Sequence, residues 1–167
     1  MSQRSSAGRL DARDLKILAL VQTNGRISTQ ALAKAIGLSL APCFKRLKRL
    51  ERDGFIRSYR GVIDAQRCGS FVVAHTEVTL ARHRAVDFSR FEAAVCRRPE
   101  IVECDAVSGG IDYVLKVITR DLNHYQQLIH GLLDEDLGVD TYFTYIATKS
   151  VKRDGVLPIE LLMQGES

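Results

Sequence analysis

The sequence predicts an α+β chain in two domains, and three features predict it. Between residues 11 and 53 apolar side chains recur at helical spacing, punctuated by capping residues and glycines. From residue 71 onward, short β-rich runs take turns with two further helical patterns in the order βαββαβ. The charge also divides: residues 1–60 hold 13 Lys/Arg against 4 Asp/Glu, a net +9, whereas residues 61–167 hold 11 against 16, a net −5. A basic domain suits a polyanion, and an acidic one suits a different partner.

The elements follow in order. Residues 1–9 are polar and basic and read as a flexible arm; no apolar stretch follows them, so they are no secretory signal. Asp11 is placed to cap a first helix, with Asp14 three residues on in the manner of a capping box. Leu15, Leu18 and the Ile17/Val21 pair supply its buried stripe. Ser28 caps a second helix, in which Leu32 and Ile36 lie four apart on one face, and Gly37 follows where a left-handed residue is cheapest. Ser39 caps a third helix and places Pro42 at its third position, where a missing N–H breaks no intrahelical bond. This helix runs to about Asp53 and is closed by Gly54. Cys43, Leu47 and Leu50 form its apolar stripe, while Lys45, Arg46, Lys48, Arg49 and Arg52 project elsewhere. A core-anchored helix with a cationic outer face behind a tight turn is the arrangement with which a helix-turn-helix enters a major groove. The β-rich run Phe55–Asp64 is expected to form a small wing, which makes residues 10–63 a winged helix-turn-helix. The turn-rich segment 64–70 (DAQRCGS) is the expected hinge.

In the second half, strands are expected over 71–80, 101–107, 113–119 and 139–147. Phe88, Phe91 and Val95 mark one helix, which ends before Pro99; Leu122, Tyr125, Ile129 and Leu132 mark another, closed at Leu137-Gly138. The order βαββαβ is the ferredoxin-like sandwich, assigned here to residues 71–159, with a tail at 160–167. Two helices cover one face of such a sheet, and the uncovered face invites self-association.

Composition excludes several classes. Hydrophobic content of 46% and charged content of 26% fit an ordinary soluble protein. No run reaches the ~18 apolar residues of a membrane span. Cys43, Cys68, Cys96 and Cys104 show neither CxxC nor paired Cys/His spacing, so reduced thiols in the cytoplasm are expected and no structural metal. His75, His83, His124 and His130 form no short ligand pair and read as surface residues. No Ser–His–Asp set or nucleotide loop gives catalysis or a cofactor a home.

Candidate binding residues fall in two places. At the start of the third helix, the backbone N–H groups of Ser39, Leu40, Ala41 and Pro42's neighbours, with the helix dipole, favour a phosphate of double-stranded DNA. Lys45, Arg46 and Arg49 are placed for phosphates or base edges, with Arg46 the expected base reader. Arg57 and Arg60 on the wing, and Ser28 and Thr29 at the second helix, suit backbone phosphates. The second place is the loop Ser108, Gly109, Gly110, Ile111, Asp112, Tyr113. A hairpin turn explains the glycines but not the acid at Asp112. A zwitterionic amino acid needs N–H donors for its carboxylate and an acceptor for its ammonium, and this loop offers both.

Three motifs carry a resemblance: LDARDLKILALVQTNGRIS, GLSLAPCFKRLKRLERDGFIRSY, and VSGGIDYVLKV with its Gly109, Asp112 and Tyr113. In this order the chain resembles the Lrp/AsnC (feast/famine) family of transcription regulators from Leu10 to Ile159, and VKRDGVLPI is similar to the family's closing segment. The resemblance implies a DNA-binding domain hinged to an amino-acid-sensing domain that dimerises through its sheet. It further implies assembly of dimers into tetramers or octamers, with the effector pocket between adjacent dimers. Tyr145 and Thr148 lie where the family adds pocket walls, and Ile146 reads as core. Two alternatives share the architecture. One is a sirohaem-decarboxylase-like tetrapyrrole enzyme, disfavoured by the cationic third helix and the intact SGGIDY loop; the other is an architectural DNA protein without a ligand.

Overall fold

A computed structural model describes residues 10–152 and 155–163. The expected arm at 1–9 and the end of the tail at 164–167 lie outside the described residues. The chain separates into two compact units, one built from residues up to Ile63 together with those from Lys152 onward, the other from Asp64–Val151.

The first unit is helical: α1 (Ala12–Thr23), α2 (Thr29–Ile36) and α3 (Leu40–Arg52), joined later by the short α6 (Ile159–Met163). α1 begins with a complete capping box. The Asp11 carboxylate accepts from the Arg13 and Asp14 amides, and the Asp14 carboxylate accepts from the Asp11 amide at 3.0 Å. Ile17 and Val21 are buried as expected, whereas Leu15 and Leu18 are only half-buried. Their core partners are Leu32, Ala33 and Ile36 of α2 and Cys43 and Leu50 of α3. Gly37 sits at φ 68°, so that Gly37 and Leu38 donate back to Lys34 and Ala33 and turn the chain sharply into α3. Gly54, at φ 80°, closes α3, and the Ile56 amide returns to the Leu50 carbonyl at 3.1 Å.

Two expectations about this unit change. The run Phe55–Asp64 carries no strand, because strand pairing needs a partner ladder and none is present among the described residues. Instead the wing segment is extended. It is tied back by Tyr59, whose hydroxyl donates to Glu51 at 2.9 Å, and it leaves Val62 and Ile63 exposed. The closing segment, expected at the end of the second domain, belongs to the first unit. The Gln22 side chain brackets the Leu157 backbone, donating to its carbonyl at 3.0 Å and accepting from its amide at 3.1 Å, and α6 packs against α1.

The second unit opens with a single 3₁₀ turn at Ala65–Arg67 inside the expected hinge. It continues as β1 (Val72–Leu80), α4 (Ala85–Cys96), β2 (Ile101–Ala106), β3 (Tyr113–Thr119), α5 (Leu122–Asp134) and β4 (Val139–Ile146). The sheet is antiparallel in the order β2-β3-β1-β4, the ferredoxin-like topology expected from βαββαβ. Period-two alternation points Ala74, Thr76, Val78 and Leu80 of β1, and Tyr113, Leu115, Val117 and Thr119 of β3, into one core. Phe91, Ala94 and Val95 of α4 and Tyr125, Leu128, Ile129 and Leu132 of α5 cover it. The buried hydroxyl of Thr76 meets Tyr125 Oη at 2.9 Å, and Tyr125 also reaches Thr144, so these polar groups are satisfied inside the core. Arg98 locks the helices together, donating to Ala94 and Gly131 carbonyls and to Glu135. Ile146, read as core, is 43% exposed at the end of β4, an edge strand of the sheet. His124 is no surface residue either: it is half-buried and meets Glu100 at 3.2 Å.

Candidate nucleic-acid interface and effector loop

The recognition helix divides into three faces. Cys43 and Leu50 are fully buried and Leu47 half-buried, which anchors α3 on the other helices. Burial pushes the Cys43 thiol up, so it is an inert core residue. On a second face, Arg46 donates to Asp11 at 2.6 Å and to Asp14 at 2.9 Å, while Arg49 donates to the other oxygen of Asp14. Asp14 is buried. A buried carboxylate must be paired, and these two guanidiniums pair it. Arg46, expected to read a base, thus also holds α3 against α1 through one terminal nitrogen, and Arg49 shares that task while both line a surface depression with Pro42, Lys45 and Arg52. The sequence showed Asp14 as a capping residue; nothing in the local pattern revealed that it lies under α3.

The third face is open. Leu40, Ala41, Pro42, Phe44, Lys45, Lys48 and Arg52 are all exposed. Among the described residues Lys45 makes no ion pair, Lys48 reaches Glu51 at 2.7 Å and Arg52 reaches the adjacent Asp53 at 2.9 Å. Ser39 occupies the N-cap position with no side-chain cap hydrogen bond, so its hydroxyl leaves the first turn of α3 uncapped. Ser28 does cap α2, accepting from the Ala31 amide at 3.1 Å, and Thr29 begins that helix half-buried. Between α2 and the start of α3 lies an open depression of about 570 Å³ lined by Ser28, Gln30, Lys34, Leu38 and Leu40. Arg57 and Arg60 are exposed on the wing segment. Lys48 and Arg52, which the candidate set left out, are exposed on the same face as Lys45.

In the second unit the loop between β2 and β3 holds Ser108, Gly109 and Gly110 exposed, with Gly109 alone of the two glycines at positive φ (148°). Asp112 is not a free acceptor. One of its oxygens takes the Leu80 amide at 2.7 Å, and His83 Nε2 lies 3.1 Å from the other. Leu80 is buried, so removing this carboxylate would strand a buried N–H. Asp112 therefore fastens the loop to the end of β1, contrary to the expectation of a loop residue free to serve a ligand. Tyr113 also points inward: it is 2% exposed, packs 4.7 Å from Phe91 and donates to Glu92 at 2.9 Å. Ile111 is half-buried. Tyr145 on β4 and Thr148 just beyond it are exposed. Asp112 bonds Val78 near the end of β1, whereas Tyr145 pairs with His75 and Ala147 bonds Val73 near its beginning. Five residue steps take β1 from Val73 to Val78, roughly 17 Å, which sets Thr148 far from the loop, whereas the Tyr145 hydroxyl reaches back along the sheet to Glu77, next to Val78, at 3.4 Å.

Comparison with known proteins agrees with this division. Residues 10–57 match the winged helix-turn-helix DNA-binding model, and residues 73–157 match the Lrp/AsnC ligand binding domain. The transcriptional regulatory protein DoeX of Halomonas elongata is 43% identical over 145 residues, covering 87% of this chain and 92% of that protein. The leucine-responsive regulatory protein of Haemophilus influenzae is 38% identical over 151 residues, covering 90% and 91%. Among solved structures, a transcriptional regulator of Neisseria meningitidis in complex with L-Met superposes with a TM-score of 0.84 at 30% identity, over 92% of this chain and 99% of that one. The chain belongs to the Lrp/AsnC family of transcriptional regulators. It pairs a helix-turn-helix that binds DNA with a ligand-binding ferredoxin-like domain.

Proposed function

We propose that the open face of α3 enters the major groove of an operator while an amino acid bound to the second unit sets how firmly it does so. The observation that carries the reading is the set of exposed cations, Lys45, Lys48, Arg52, Arg57 and Arg60, gathered on and after one core-anchored helix. Ser28, Thr29, Ser39, Ala41 and the amides around Pro42 add phosphate contacts at two helix starts, where N–H groups and dipoles favour anions. Arg46 and Arg49 border this surface and hold it to α1 through Asp14.

An amino-acid effector is supported by the loop's exposed glycine backbone and by relatives of matching length, one a leucine-responsive regulator and one a structure holding L-Met. Because Asp112 and Tyr113 are occupied inside their own chain, the ligand's contacts come from the backbone of Ser108–Ile111. Thr148 joins them only from a second copy of the chain. The open sheet face, with Phe143 and Tyr145 more than half exposed beside Lys116 and Glu103, suits such self-association.

A thermal-shift screen of the full chain against the twenty amino acids tests the effector half. A ligand present at a hundred times its Kd stabilises the folded state by about 2.7 kcal/mol, so one or a few amino acids should raise the melting midpoint measurably. A flat response to all twenty would leave the ligand-free architectural reading in its place.

A further inference from the structure

We infer that Leu40 and Phe44 read thymine 5-methyl groups in the major groove, a specificity role that rests on the DNA-binding reading above. Both side chains are half exposed, Leu40 at 55% and Phe44 at 50%, on a helix whose remaining outer residues are small or cationic. They lie four apart, and Lys48 four further on, so the three share one face. Lys48 Nζ stands 5.7 Å above the Phe44 ring.

Arg46 and Arg49 each hold Asp14 through one terminal nitrogen, which leaves Arg52 as the arginine of this helix turned most fully to solvent. Beside the cations Lys45, Lys48 and Arg52, α3 offers the groove one large apolar pair, Leu40 and Phe44. In the major groove thymine is the base that presents an apolar group, its C5 methyl, and Phe and small apolar side chains are suited to contact it. The surrounding cations match phosphates on either side of the groove and select a duplex over an apolar protein surface. Removing a methyl contact of this kind removes about one buried CH₂ equivalent, which corresponds to roughly 4-fold in affinity.

The test begins by selecting duplexes from a random-sequence library with the full chain, then resynthesising the selected site with deoxyuridine replacing thymidine at single positions. The wild-type chain should lose about 4-fold at one or more positions. Phe44→Ala or Leu40→Ala should bind the thymidine duplex more weakly and show no further loss at the matching deoxyuridine position, while Phe44→Leu keeps the sensitivity. Circular dichroism on each variant confirms that the helices remain, as both side chains are half in solvent. If wild type is indifferent to deoxyuridine everywhere, or if Phe44→Ala and Leu40→Ala lose as much as wild type on substitution, the inference is overturned although DNA binding stands. Failure to select any duplex would overturn the DNA reading itself, and this inference with it.

Discussion

Replacing Arg46 and Arg49 together with alanine is expected to destabilise the first unit by about 3–5 kcal/mol, because it leaves the Asp14 carboxylate buried without a counter-charge. Asp14 is 1% exposed at its side chain and receives one guanidinium on each oxygen. Either arginine alone leaves the other in place, so each single variant should cost less than half the loss of the pair. The contrast is with Lys48–Glu51, whose lysine is 56% exposed; such surface pairs contribute about 0–1 kcal/mol. Adding Asp14→Asn to the double variant removes the buried charge and keeps a hydrogen-bonding group at the capping box, so part of the stability should return. Urea denaturation followed by circular dichroism reads all four proteins. A double variant that melts like wild type yet fails to bind DNA would show instead that the arginines face the groove. Acid acts on the same cluster. The amide of Asp14, and then the guanidinium of Arg46, hold the Asp11 carboxyl below its ordinary value. A depressed carboxylate contributes stability above its unfolded pKa of about 3.9 and loses it as pH falls through the lower folded value.

Raising the salt concentration from about 50 to 200 mM should reduce duplex affinity about 10³-fold or more, provided a dimer neutralises six to ten phosphates. Lys45, Lys48, Arg52, Arg57 and Arg60 supply five exposed cations per chain, enough for that number in a pair. Each lysine that meets a phosphate adds about −0.9 to the slope of log K against log salt. Lys45→Gln removes one such contact from each chain of the dimer and should therefore lower the slope by about 1.8 on operator and random DNA alike, whereas Arg46→Gln should leave the slope nearly unchanged. Fluorescence anisotropy across a salt series decides this. A slope near zero would mean that the cationic face is only a solvated surface.

The helices and strands were legible in the sequence because each carries a local signature. The Asp11–Asp14 capping box, the Ser28 cap and Gly37 define the helix-turn-helix within a few residues of one another, and all three are seen in place. Alternation in Val72–Leu80 and Tyr113–Thr119 likewise fixed two strands and the faces they bury. What could not be read were contacts between residues far apart in the chain. The partners of Arg46 lie 35 and 32 residues away, the acceptor of the Leu80 amide lies 32 away, and Gln22 meets Leu157 across 135. Local periodicity shows that Arg46 leaves the apolar stripe; it does not show whether water, DNA or an aspartate awaits it. The strand expected within the wing is missing for a related reason, since β-propensity over Phe55–Asp64 does not supply the partner that a strand requires. The effector loop shows the same limit: Asp112 looked available because its acceptor role toward β1 is invisible in the motif.

The central claim is that one chain couples an amino acid to a DNA site, and measuring both affinities of the full chain tests it most directly. The duplex Kd is determined with and without a saturating amount of the amino acid identified by thermal shift, and the amino-acid Kd with and without the duplex. Coupling of about 1–3 kcal/mol, or 5- to 150-fold, is predicted, and linkage requires the two factors to be equal. An amino acid that binds tightly while leaving the duplex Kd unchanged would contradict the account, since a ligand with equal affinity for both states shifts neither.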